Sequence, residues 1–184
     1  VCSSDLRMNN LKLINEHIIY DNKNDILYIM IYKFDNGAVA DVWFSIEIDG
    51  LNKNINNKNL YTVNYRAIKY HYKSDYKYGM NEIKINDKLV YNNNKNKYLN
   101  YYLNYFEIDG SIVIIYDLLY GSMNSLCKSY GNLSNDILYK IIPQIENAIN
   151  FIHDCGYIHT DITINNILIK GYSFIHNKIG RAHV

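Results

Sequence analysis

Apolar and polar positions alternate, or apolar residues run on for a strand's length, in five segments: Ile26 to Phe34, Ala38 to Ile48, Tyr61 to Tyr70, Tyr102 to Ile108 and Ile112 to Leu119. This pattern predicts five strands. Between the third and the fourth, Ser74 or Asp75 can cap a helix running to about Val90, with Glu82, Ile85 and Leu89 on one face. Gly79 lies inside that helix, where glycine costs about 1 kcal/mol against alanine. From Ser134 the period changes. Leu138, Ile141, Ile142, Ile145, Ala148, Ile149 and Ile152 fall at steps of three and four, behind Ser134 as N-cap and Asp136 in the first turn. Pro143 interrupts this second helix at a cost of about 3 kcal/mol and predicts a kink near Tyr139, whose carbonyl loses its partner. Strands with one helix, then a long helix, then a polar loop make an α+β chain.

Two polar, aperiodic stretches, GLNKNINNKN from Gly50 and YNNNKNKYLN from Tyr91, are predicted to be surface loop insertions. Such insertions are tolerable because each doubling of loop length costs only about 0.6 kcal/mol. The 184 residues suffice for one sizeable core. With 20% charged residues and a net charge of +1, no electrostatic argument favours nucleic acid or an anionic membrane, and neither partner is expected. The bias towards Asn, Ile, Lys and Tyr, with 20 Tyr, follows AT-rich codons and fits a protist or large DNA virus. No apolar run reaches the roughly 18 residues of a membrane span, and no signal-peptide pattern opens the chain, so a soluble cytoplasmic or nuclear protein is expected. Cys2, Cys127 and Cys155 lack metal-ligand spacing and are expected as reduced thiols. His153, Cys155 and His159 lie close in sequence, but zinc needs three or four converging ligands, and a scaffolding role explains both histidines better. The end hexapeptides VCSSDL and IGRAHV look like translated ends of sequencing adaptors. On that reading residues 1–6 and 179–184 are scars, and native sequence runs from about Arg7 to Lys178.

Four features supply what phosphoryl transfer needs, namely held phosphates, a held metal, neutralised charge and an aligned hydroxyl. In IHTDITINNILI, Ile158 to Ile169, Asp161 can orient or deprotonate an acceptor hydroxyl, while Asn166 offers a carbonyl oxygen to Mg²⁺. Taken alone, this segment also fits an ordinary polar turn. In YRAIK, Tyr65 to Lys69, the lysine ends an alternating strand, where it can reach α- and β-phosphates while Ala67 packs on adenine. Glu82, mid-helix, is placed to pair with Lys69 and fix its direction. In FDNGAVADVWF, Phe34 to Phe44, the three glycine positions of a phosphate loop are Asp35, Gly37 and Ala40, followed by Val42. Only one glycine survives, and a carboxylate at Asp35 is unfavourable near phosphates unless it points away.

From Gly37 through Lys69, Glu82, Asp161 and Asn166, order and spacing resemble the protein kinase family over nearly the whole chain. Thr160, DVWFSIEIDG, NEIKIN and LNYFEIDG further resemble the serine/arginine-rich protein kinases. The resemblance implies a two-lobed α+β fold: a first lobe over residues 7–115 with Asn-rich insertions, a hinge over 116–121, and the opening of a helical lobe over 122–178. It implies ATP and Mg²⁺ as cofactors and a protein substrate, Ser/Arg-rich in that subfamily. It also implies nucleotide contacts from Gly37, Val42, Ala67, Lys69, the hinge residues Asp117 and Leu119, and Tyr116 at the back of the pocket. Asp161, Lys69 and Glu82 take the catalytic roles and Asn166 the metal. The departures cut the other way. Thr163 stands where Ser/Thr kinases carry a lysine, and Thr160 where most carry an arginine. The Asp-Phe-Gly metal motif, due near residue 179, is replaced by IGRAHV, and no Ala-Pro-Glu element follows. Two readings stay open: an ATP-dependent Ser/Thr protein kinase, whose fragment as given is inactive and prone to aggregate, and a pseudokinase that binds nucleotide or scaffolds.

Overall fold

The computed structural model describes residues 11–15, 17–37, 39–50, 61–90, 95–173, 178–179 and 182–183. Its contacts divide the chain into two units, one of residues 1–83 with 102–118, the other of residues 84–101 with 119–184. The first insertion and the end hexapeptides lie outside the described residues, apart from Gly50 and the short backbone segments near the C-terminus.

The first unit is an antiparallel sheet. Its strands are β1 (Leu11–Asn15), β2 (Ile18–Asp21), β3 (Ile26–Asn36), β4 (Asp41–Asp49), β5 (Thr62–His71), β6 (Tyr102–Ile108) and β7 (Ser111–Asp117), in the order β1-β2-β3-β4-β5-β7-β6. All five expected strands form, with bounds shifted by at most three residues, and β1 and β2 precede them. Side chains alternate between the faces. On one face Ile68, Val113 and Ile115 pack with Ile19, Tyr28, Met30, Phe106 and Ile108. Tyr28 on β3 meets Phe106 on β6 at 5.5 Å between ring centres, although three strands separate them in the ladder, so the sheet curls around this cluster.

On the other face, Ile112, Ile114 and Tyr116 of β7 and Ala67 of β5 are covered by helix α1 (Tyr76–Leu89) through Met80 and Ile83. A single 3-10 turn, Lys73–Asp75, leads into α1, and the Ser74 hydroxyl donates to the Asp75 carboxylate. Ile83, 2% exposed, anchors the helix to the sheet. The expected face of Glu82, Ile85 and Leu89 is therefore only part of the buried stripe. Gly79 explains why the helix accepts its conformational cost: a Cβ there would sit 2.8 Å from Ile112 Cβ and 3.1 Å from His71 Cδ2.

The second unit is built on α3 (Asn135–Asp154), with the short strand β8 (Gly121–Ser122) and helix α2 (Met123–Tyr130) before it. Four two-residue strands follow: β9 (Leu168–Ile169), β10 (Tyr172–Ser173), β11 (Lys178–Ile179) and β12 (Ala182–His183). Strand β9 pairs with both β8 and β12, and β10 pairs with β11. Ile137 and Ile141 of α3 pack with Leu126, Ile167 and Ile169, while Ala148 and Ile152 pack with Leu89 and Leu99. Leu99, 7% exposed, and Asn96, whose amide donates to the Asn147 side chain at 2.9 Å, fix the end of the second Asn-rich stretch. Residues 95–100 form no helix or strand and leave Lys95 and Lys97 exposed, but Leu99 anchors this part of the stretch.

Pro143 is exposed and α3 runs unbroken past it. Ser134 occupies the N-cap, but its backbone carbonyl, not its hydroxyl, takes the Ile137 and Leu138 amides. Ile142 remains 47% exposed and Leu138, Ile145 and Ile149 half-buried. No helix among the described residues is long and apolar enough to cross a membrane.

Gly79→Ala separates helix propensity from packing. The gain of about 1 kcal/mol in propensity opposes an overpacking cost of about 1–3 kcal/mol, because Ile112 Cβ cannot swing away. Thermal unfolding followed by circular dichroism is expected to show a lower midpoint for the variant.

Candidate active site

Antiparallel register brings the expected nucleotide residues of the first unit to one face. Val42 on β4 lies opposite Lys69 on β5, and Ala67 lies opposite Tyr116 on β7. All four therefore project to the side that carries α1. Lys69 Nζ reaches Glu82 Oε2 at 2.7 Å, so strand and helix are joined by the ion pair their spacing predicted. Glu82 holds more than this lysine. The Tyr116 hydroxyl donates to Oε1 at 2.6 Å, and His71 Nε2 lies 3.3 Å from Oε2. Burial alone would raise the Glu82 carboxyl; His71, Lys69 and Tyr116 together outweigh it and push the group down to about 2.

The hairpin between β3 and β4 turns over residues 37–40. A Cβ on Gly37 would lie 2.8 Å from the Ala40 carbonyl oxygen, which gives the one surviving glycine a steric reason. The Asp35 side chain and Ala38 fall outside the described residues. The far end of the hairpin is tied down by side chains. Asp41 accepts from Lys33 at 3.2 Å and from the Tyr72 hydroxyl at 2.6 Å, and His71 Nδ1 donates to the Val39 carbonyl at 3.0 Å.

Asp117 lies opposite Arg66, on the other face of the sheet from Ala67. Its carboxylate takes Arg66 Nη1 at 2.9 Å, while Arg66 Nε and Nη2 clasp Glu47 at 2.9 Å each. Burial would raise Glu47, but the bonds from Arg66 and Asn64 hold it below the usual carboxylate range. The side chain of Asp117 is thus structural, which leaves its backbone for any adenine contact. Leu119 falls in the second unit, half-buried beside Tyr120, whose amide donates to the Ile169 carbonyl.

In the second unit, Asn166 Nδ2 donates to the Asp161 carboxylate at 2.8 Å and to the Asp161 carbonyl at 3.0 Å. The five-residue spacing therefore does bring the two side chains together. The bond turns the amide nitrogen towards Asp161 and leaves Oδ1, the oxygen a hard cation would use, facing away from it. Among the described residues no cluster of three or more His, Cys, Asp or Glu converges. One amide oxygen and one carboxylate make a donor set for Mg²⁺ that phosphates and water complete, as Mg²⁺ in nucleotide sites is commonly held. His159 Nδ1 accepts the Asp161 amide at 3.3 Å, a scaffolding contact. The loop is braced from the start of α2, where Met123 and Asn124 amides donate to Ile167 and Ile164 carbonyls and the Asn124 side chain to Asn165.

Sequence reasoning missed His71, the Tyr116 hydroxyl, Asn124 and Asn165. His71 carried a signal, since it follows Lys69 by two on an alternating strand and so shares its face. The others depend on contacts across the fold.

Glu82 sets a test in acid. Its folded value lies below the ordinary 4.5, so its stabilisation is complete above about pH 4.5 and is lost as the pH falls towards 2. Urea unfolding across that window should show wild-type stability falling by on the order of a few kcal/mol more than that of Glu82→Gln. Parallel curves would disprove the assignment.

Comparison with known proteins follows the same residues. The protein tyrosine and serine/threonine kinase family matches residues 32–180. A protein of Acanthamoeba polyphaga mimivirus named "Putative serine/threonine-protein kinase L673" is 31% identical over 78 residues, which are 42% of this chain and 14% of that protein. Among solved structures, Rad53 in complex with AMP-PNP superposes with a TM-score of 0.60 at 21% identity, covering 78% of this chain and 35% of its own. The kinase domain of PF14_0431 gives 0.63 at 20% identity, covering 78% and 40%. The chain spans well under half the length of each of these relatives. Its antiparallel sheet with one helix, followed by helices and a catalytic-type loop, is a kinase-like fold and part of a kinase domain. With the family pattern running from β3 past β9, the chain belongs to the protein tyrosine and serine/threonine kinase family.

Proposed function

We propose that the complete protein transfers the γ-phosphoryl group of ATP to serine or threonine hydroxyls of protein substrates. The observation that carries this is the Lys69–Glu82 pair at 2.7 Å, formed between strand and helix on the face that also presents Val42 and Ala67. A lysine fixed in this way binds phosphate oxygens without first having to be oriented. Adenine would pack on Val42 and Ala67, with Tyr116 at the back of its pocket and the backbone of Asp117 at its polar edge. Gly37 lets the hairpin backbone approach the phosphates. Asp161 orients the acceptor hydroxyl and takes its proton, and Asn166 Oδ1 holds Mg²⁺. The metal supplies charge neutralisation on the phosphates. The Ser/Thr class rests on the mimivirus relative's name and on the resemblance to serine/arginine-rich protein kinases, which also suggests Ser/Arg-rich substrates.

Thr163 favours a second reading, a pseudokinase that binds nucleotide without transferring phosphate. A lysine there would neutralise the phosphoryl group in flight, and losing such a charge costs about 2.7–4 kcal/mol by analogy with an oxyanion donor. Four charged or amide groups suited to ATP and metal, Lys69, Glu82, Asp161 and Asn166, weigh against it.

Labelling from γ-labelled ATP with Mg²⁺ by the complete polypeptide, on Ser/Arg-rich and unrelated protein substrates, decides between them. Transfer is expected, with Asp161→Asn lowering kcat by about 10²–10⁴-fold. A wild type that binds Mg-ATP but labels no substrate, while Thr163→Lys does, would refute the active-enzyme reading and leave the pseudokinase.

A further inference from the structure

His71 has no part in the chemistry above, yet it is fully buried at the end of β5, two residues beyond Lys69 and on the same face. A buried imidazole needs partners on both nitrogens. Nδ1 has one in the Val39 carbonyl of the β3–β4 hairpin, at 3.0 Å. Nε2 lies 3.3 Å from Glu82 Oε2, the oxygen that takes Lys69, though out of line for a full hydrogen bond. Each ring nitrogen thus faces an acceptor. The ring is also hemmed in from α1, where a Cβ at Gly79 would come within 3.1 Å of Cδ2. Its neighbour Tyr72 repeats the tie to the hairpin by donating to Asp41 at 2.6 Å.

We propose that His71 is a positioning residue that couples the β3–β4 hairpin to the Lys69–Glu82 pair, so that both elements facing the nucleotide phosphates are set together. The inference rests on the nucleotide-binding reading above. Its logic is geometric. The hairpin has kept one glycine of three, and its backbone is fixed from β5 by a ring whose opposite edge meets Glu82. Removing the ring loosens the Val39 carbonyl and Glu82 Oε2 in one step. The loss falls on groups that meet phosphates, Lys69 and the hairpin backbone, and spares Val42 and Ala67, which meet the base.

The test is calorimetric titration of the complete polypeptide with Mg-ATP and, separately, with adenosine, for wild type, His71→Phe, Glu82→Gln and the double variant, with thermal midpoints measured alongside. His71→Phe is expected to weaken Mg-ATP by about tenfold, as loss of a hydrogen bond to a charged group does, with adenosine changed less than about twofold. The double variant should lose less Mg-ATP affinity than the sum of the two single losses, because the part of His71 that acts through that carboxylate is already gone in Glu82→Gln. Should His71→Phe fail to fold, His71→Gln, which keeps an N–H donor, takes its place and should lose less than tenfold. Equal weakening of ATP and adenosine, additive losses in the double variant, or unchanged ATP affinity would each overturn the role of His71 while leaving nucleotide binding intact. A wild type that binds neither ligand would overturn the nucleotide reading itself, and this inference with it.

Discussion

A carboxylate held largely out of water against a sheet persists only when donors surround it. Glu82 is that group, and the arrangement of the first unit follows from satisfying it. Lys69 and His71 come from alternate positions of β5, and Tyr116 comes from β7, so two strands must lie side by side in one register. Helix α1 must then lie close enough for a short side chain to reach them. That closeness requires no side chain at Gly79, where even a Cβ would strike Ile112. The glycine that weakens the helix in isolation is therefore what permits its packing. Local propensity yields to a tertiary demand of larger size.

The strands were legible because their faces differ in solvent exposure, and alternation records that difference along the chain. The segments LKLIN and IIYD, which form β1 and β2, escaped because each is too short for a period to declare itself. The anchor within the second Asn-rich stretch was not legible for another reason. Composition averages over a window, whereas Leu99 inserts among Leu89, Ala148 and Ile152 with Tyr98 packed beside it. Within the candidate site, Lys69, Glu82, Asp161 and Asn166 were readable because their spacings are fixed by strand, helix and tight loop. The Tyr116 hydroxyl was not, since a tyrosine in an apolar strand looks like packing until the helix opposite presents an acceptor.

The two sets of polar groups differ in how they are held. In the first unit the charges are partly buried and mutually paired, so their positions are set by strong, short bonds in a medium that screens them poorly. Around Asp161 nearly every residue is exposed, and order comes from backbone bonds instead: β9 paired with β8, and the amides of Met123 and Asn124 on the loop carbonyls. A loop shaped by its backbone tolerates side-chain change at positions that make no bond. The Thr163 carbonyl takes the Asn166 amide at 2.9 Å, a backbone bond that any residue can make there, so the loop keeps its form although Thr160 and Thr163 depart from the family pattern.

The same distinction accounts for the degenerate glycine loop. Glycines in a phosphate loop serve close backbone approach, and their number sets how freely the loop can adjust. Here Asp35 and Ala40 stand at two of their places, and the remaining Gly37 sits where a Cβ would lie 2.8 Å from the Ala40 carbonyl oxygen. What adjustment has lost, anchorage has replaced. Val39 is held by His71, and Asp41 by Tyr72 and Lys33, all through side chains on β5, at its end or on β3. A hairpin tied at adjacent points by partly buried bonds presents one backbone conformation instead of many, so ordering it for a ligand costs less conformational entropy. The departure from the glycine pattern is thus compatible with phosphate binding, by a pre-set loop in place of an adaptable one.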